Sequence, residues 1–222
     1  IEALFRVRSS PVGSLLARFH STPNIPSIHS FVSYPDKTDP QYIVKGNENL
    51  TMGRSNTLVA WYWRNFVQDG EKGKLTRTLS AHLLYSRQQN DVANFTTYNR
   101  KTGVVTIQPV NVSGNWNGKV NIGFTSPLDL AQHFWLETEV EASILRTKTF
   151  SGTESLGNIV PQINDNQFLS YKASVKPRLK LGTTDFTMSY DLILEDNHST
   201  YFSADNKKQW QHLIGGKLNT LL

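Results

Sequence analysis

The side chains able to do chemistry are numerous, but they do not gather into a catalytic pattern. Six histidines (His20, His29, His82, His133, His198 and His212) are scattered, without the spacing at which two imidazoles on one element share a metal. No GxSxG, HExxH or GxxxxGK[ST] string occurs, so no nucleophile elbow, zinc helix or phosphate loop is spelled out. The absence of cysteine removes disulfides and thiolate ligands. Four Asn-x-Ser/Thr triplets, at Asn49, Asn94, Asn111 and Asn197, match what chance gives in a chain this rich in Asn, Ser and Thr. The expectation is a protein that is not an enzyme and holds no metal or cofactor.

Charge is what carries a pattern. Glu137, Glu139 and Glu141 recur at every second position, and so do Lys172, Lys176, Arg178 and Lys180 with one gap. A strand sends alternate side chains to one face, so each set lines one side of its strand. Antiparallel pairing through a loop at 146–166 would set acids beside bases, worth about 0.2–1 kcal/mol per opposed pair. Such a ladder suits a water-filled lumen, which it keeps neutral while fixing the register. The lumen-facing set is therefore Glu137, Glu139, Glu141, Lys172, Lys176 and Arg178.

The elements that must position these charges are two-faced strands. In Asn111 to Phe124 the even positions are Val112, Gly114, Trp116, Gly118, Val120, Ile122 and Phe124, while the odd ones are Asn, Ser, Lys or Gly. A helix would scatter these residues around its circumference, so one long strand is expected. The same alternation returns at 57–67, 74–86, 133–145, 168–181, 186–194 and from 209 onward, with looser strands at 1–8 and 14–20. Val112, Trp116, Val120 and Ile122, with Leu169, Tyr171, Val175 and Leu179, form an apolar set that would face lipid. Tyr85, Phe124, Phe134, Phe168, Phe186 and Trp210 stand near strand ends, where aromatic girdles sit. Arg77 interrupts the apolar face of its strand next to a turn, from where its head can snorkel.

Connections alternate short and long. Turns at 9–13, 68–73, 126–132 and 182–185 are brief, whereas 21–56, 87–109, 146–166 and 195–207 are long and polar. Strands of roughly 9–14 residues exceed the ~5–6 of ordinary sheets. Long strands, with short turns on one rim and long loops on the other, are the layout of an outer-membrane barrel. Aromatic content of 11 % argues against disorder, and 38 % hydrophobic residues against a deep dry core. A net charge of +5 spread along the chain, without a basic cluster, argues against nucleic acid. No apolar run is long enough for a membrane-crossing helix. The expected fold is all-β, an antiparallel meander of long strands forming part of a transmembrane β-barrel, with 1–222 as a single region. A soluble or surface-attached β-sheet module that stacks sugars on exposed Trp and Tyr is the alternative.

Two segments carry a family likeness. NIPSIHSFVSYPDKTDPQYIVKGNENL, through Pro26, Ser27, Ile28, Gly46, Asn47, Asn49 and Leu50, resembles a strand–loop segment of TonB-dependent receptor-like outer-membrane β-barrels. TYNRKTGVVTIQPVNVSGNWNGKVNIGF is similar to the next hairpin of that family. The resemblance covers about half the chain and its motifs shape loops rather than perform chemistry. It implies the bacterial outer membrane, substrate binding and import, and a barrel of about 22 strands around a plug. With roughly nine strands and no energy-coupling box, the chain then reads as a slice of a longer receptor. Its implied partners are outer-membrane lipid, the remaining barrel and plug, a TonB-type energy-coupling protein and a surface lipoprotein, with no nucleic acid among them. Ligand would first meet the long loops at 21–56 and 87–109.

Overall fold

The computed structural model describes residues 1–9, 13–32, 36–70, 73–155, 158–200 and 206–220. The turn residues 10–12 and 71–72, and residues 201–205 of the expected 195–207 loop, lie outside this set. The chain is nearly all β. Its strands are β1 (Glu2–Ser9), β2 (Gly13–Asn24), β3 (Asp36–Asp39), β4 (Tyr42–Val44), β5 (Gly53–Gly70), β6 (Gly73–Gln89), β7 (Asp91–Asn99), β8 (Val105–Val112), β9 (Trp116–Pro127), β10 (Phe134–Ser155), β11 (Asn158–Leu181), β12 (Thr184–Ser199) and β13 (Lys207–Thr220). Helix among the described residues is one turn, α1 (Ile28–Phe31).

Nine strands make an antiparallel meander in the order β1-β2-β5-β6-β9-β10-β11-β12-β13. The remaining four build an extension above one rim. There β7 and β8 form a hairpin, β8 runs parallel to β4, and β7 runs parallel to the far end of β10, Phe150 opposite Phe95. These two parallel ladders are the departures from a simple meander. At the other rim every connection is short, as at Leu181 and Thr184, which already face each other across the β11–β12 turn.

Three boundaries differ from the sequence reading. The stretch 111–124 is two strands, because Gly114 takes φ +103° and breaks the run between Val112 and Trp116. Only glycine enters that region without strain. The 146–166 segment, expected as a loop, is strand at 146–155 and 158–166: β10 and β11 pair from Phe134–Leu179 to Ser155–Asn158. The polar connection 87–109 likewise contains the tail of β6, all of β7 and part of β8. One flaw in the meander has a local cause. The β11–β12 ladder skips from Val175–Tyr190 to Arg178–Thr187, and Pro177, in the gap, has no N–H to donate.

Among the described residues no second layer covers the sheet. Buried apolar side chains among the described residues are Leu50, Val112 and the prolines Pro26, Pro109 and Pro127, while Val140 is 58 % exposed and Ile214 78 %. The accessible surface is 14845 Å², against about 10,000 Å² for a soluble globular monomer of this size. One face of the sheet is therefore mostly apolar and uncovered, while Leu4, Val67, Leu145 and Leu213 are exposed on the other.

Candidate functional site

The register fixes which residues share a face. Ile122 lies opposite Val140 and Ala81; Val140 is opposite Ala173, and Ala173 opposite Leu192. Carried two residues at a time, this face holds Phe5, Phe19, Leu58, Leu83, Val120, Ile144, Leu169, Tyr171, Val175, Leu179, Tyr190 and Leu218. Trp116, opposite Arg146 and Arg87, is at its upper margin, 6.0 Å from the Tyr85 ring. Seven of the eight expected lipid-facing residues thus share one surface. Val112 does not: it ends β8, beyond the Gly114 break, and is only 2 % exposed. Among the strand-end aromatics, Phe168 is the misfit. It stands opposite Leu145 and Asn197 on the charged face, since β11 presents its even positions there.

The apolar face is bounded by charge. Along β6 it runs Arg77, Leu79, Ala81, Leu83, Tyr85, Arg87. Ten residues at ~3.3 Å each span about 33 Å along the strand. A tilt of about 40° reduces this to ~25 Å, the height of a barrel's apolar band. Between those rows the other lysines, arginines and carboxylates on this face are Arg64 on β5 and the opposed Asp196 and Lys208 of β12 and β13.

The opposite face carries the ladder. Glu137 is opposite Lys176, Glu141 opposite Lys172, and Glu139 opposite Ser174. Ion pairs cross these rows as well as follow them. Lys176 Nζ is 3.4 Å from Glu137 and 3.7 Å from Glu139, whereas Glu141 takes Lys119 of β9 at 2.8 Å. Lys172 turns to Asp191 of β12 at 3.5 Å, and Arg178 to Asp185 at 2.6 Å. Asn121 Nδ2 donates to both Glu139 and Glu141. The network therefore spans four strands, and Lys119, Asn121, Asp185 and Asp191 are members that the two-strand reading missed. Most of these groups stay partly exposed, so each pair contributes at most about 1 kcal/mol. Toward the short-turn rim a hollow of ≈ 330 Å³ opens among Trp135, Glu137, Lys176, Arg178, Thr187 and Lys217. Farther along this face Trp61 and Trp63 are 36 % and 37 % exposed, with Trp61 stacked on His82 at 5.5 Å.

The motif segments meet each other where the extension joins the sheet. Asn111 Oδ1 accepts from the Thr51 N–H at 2.8 Å, and its Nδ2 donates to the carbonyls of Thr51 and Asn90. Asn47 Nδ2 donates to Pro109 O at 2.9 Å, Gln108 Nε2 to Gly46 O at 3.1 Å, and Asn47 Oδ1 accepts from the Asn49 N–H. Buried Asn115 accepts from the Lys148 N–H and donates toward Asp91. A Cβ on Gly46 would come within 1.7 Å of Val32 O, so only glycine fits there. Pro26 and Leu50 are buried, Ser27 Oγ lies 2.9 Å from Ser30 Oγ before α1, and Ile28 is exposed. These residues brace the long connection against the β7–β8 hairpin, a structural task.

Among the described residues no three His, Asp or Glu gather at metal-binding distance. No helix there is long and apolar enough to cross a membrane, a statement that leaves strands untouched. Comparison with family models, curated proteins and solved structures finds no match for this chain.

Proposed function

We propose that this sheet is a stretch of wall in an outer-membrane β-barrel of the TonB-dependent receptor type, taking part in substrate binding and import. In this reading the apolar face meets lipid, and the ladder from Lys119 to Asp191 lines a hydrated lumen. The observation that carries it is the uncovered apolar face, limited along β6 by Arg77 and Arg87, about 25 Å apart along the membrane normal at a barrel's usual tilt. A single-layer sheet this apolar on one side needs a cover, and the opposite face holds the ion-pair network alongside the exposed Trp61 and Trp63. The rims agree: the short turns would face the periplasm and the braced extension the outside. The remaining barrel and plug, a TonB-type coupling protein and a surface lipoprotein are the partners this reading calls for.

Because the chain has no cysteine, single cysteines report cleanly. Lys101→Cys, in the turn of the β7–β8 hairpin, should react with a membrane-impermeant maleimide on intact cells. Leu130→Cys, in the β9–β10 turn, should react only after the outer membrane is opened. Equal labelling of both on intact cells would defeat this orientation, and recovery of the protein in the soluble fraction would defeat the membrane reading.

Trp61 and Trp63, exposed on the polar face beside His82, favour a second reading: a surface-attached module that stacks sugar rings on its aromatics. A protein of that kind would stay in aqueous solution without detergent.

A further inference from the structure

Arg64 and Arg77 stand on the wrong face for structural cations. The β5–β6 register sets Phe66 opposite Arg77 and Arg64 opposite Leu79, which makes the arginines diagonal neighbours on the apolar side. Diagonal Cβ atoms in such a pair lie roughly 7–8 Å apart, so both guanidiniums can reach one group. Around them are Phe66, 37 % exposed, Leu79 and Phe124. Arg64 already lies 4.5 Å from the Phe66 ring centroid. Among the described residues no carboxylate pairs with either arginine. Two like charges side by side at the border of an apolar surface repel each other until an anion is shared between them.

We propose that Arg64 and Arg77 clamp the phosphate of a phospholipid in the leaflet at the short-turn rim. The inference rests on the membrane reading above. The chemistry selects this ligand in two ways. Guanidiniums take phosphate oxygens two at a time, with a geometry that lysine lacks. The surface running away from the clamp toward the other rim is Leu79, Ala81, Leu83 and, on β9, Phe124, Ile122 and Val120. An anion with acyl chains covers that track, whereas free phosphate leaves it bare. Charge complementarity and apolar continuity therefore name the same occupant. At the other rim Arg87 also has a diagonal arginine, Arg54 on β5, but Arg54 donates to Ser21 Oγ at 3.4 Å.

The test is phospholipid retention by the full-length protein after extraction and purification in a mild detergent, counted by native mass spectrometry. Wild-type protein should keep phosphatidylglycerol, and the R64Q/R77Q variant should keep at least about tenfold less, as loss of two charge-assisted contacts implies. R64K/R77K should fall between them, and Arg18→Gln, on the polar face, should match wild type. Circular dichroism checks that each variant keeps its sheet. Equal retention by wild type and R64Q/R77Q would overturn the clamp, and so would displacement of the lipid by millimolar inorganic phosphate, which would make it a free-anion site. Wild-type protein that enters bilayers but keeps no phospholipid also overturns it while leaving the membrane reading intact. Protein that never enters bilayers defeats the membrane reading itself.

Discussion

Gly46 and Asn111 show what the most motif-like residues of this chain do. Asn111 satisfies backbone groups on two separate segments, and Gly46 lets the 25–52 connection pass against Val32. Gly46→Ala would push a methyl group into the Val32 carbonyl, an overpacking that costs about 1–3 kcal/mol. Its damage should stay local. The expected outcome is faster protease nicking between residues 25 and 52 with unchanged total sheet content; equal nicking rates would mean that the brace is not needed. The sequence shows such residues as a pattern of letters, but not their task. The partners of Asn111, at Thr51 and Asn90, are far away in the chain, and no periodicity points to them.

At the scale of elements, alternation exposed the strands whose two faces differ and hid the others. Val120, Ile122, Leu169 and Val175 were legible because lipid-like and water-like neighbours alternate along β9 and β11. The far halves of β10 and β11 were not, since Thr147, Thr149, Ser151 and Thr153 sit on strands without one strongly apolar face. Alternation also runs straight through Ser113–Asn115, so it missed the break at Gly114 and misassigned Val112. The ladder was legible as acids and bases, while the choice of Lys119 for Glu141 depends on a register across three strands. The β9–β10 turn offers an element-level test. Asp129 Oδ1 accepts from the Phe134 N–H at 2.7 Å, and this bond, with nearby His133, holds the carboxyl below the usual aspartate range. A depressed carboxylate contributes stability above its unfolded pKa and loses it as pH falls through the folded one. The Phe134 amide should therefore be protected from exchange at neutral pH and open only in acid. Asp129→Asn should lower that protection at neutral pH, and identical protection in both proteins would remove the carboxylate from the turn.

At the scale of the molecule, the arrangement is half of a solvation problem. One face carries the ion-pair network, and the other presents Phe5, Tyr171, Val140 and Leu218 to whatever lies beyond. The edges pose a second problem, because among the described residues β1 and β13 each pair on one side only. In a nine-strand meander the first and last strands run the same way. An antiparallel closure therefore requires an odd number of additional strands between β13 and β1, and exposed edges of this length otherwise invite aggregation. The central claim, that one face meets lipid and the other water, is tested most directly by a nitroxide scan along β10 from Leu136 to Leu145 in the membrane-embedded protein. Accessibility to oxygen should peak at Leu136, Val140, Ala142 and Ile144, and accessibility to a polar nickel chelate at Glu137, Glu139, Glu141 and Ser143, the two profiles out of phase with a period of two. Profiles in phase, or a chelate that reaches Val140 as readily as Glu139, would contradict it.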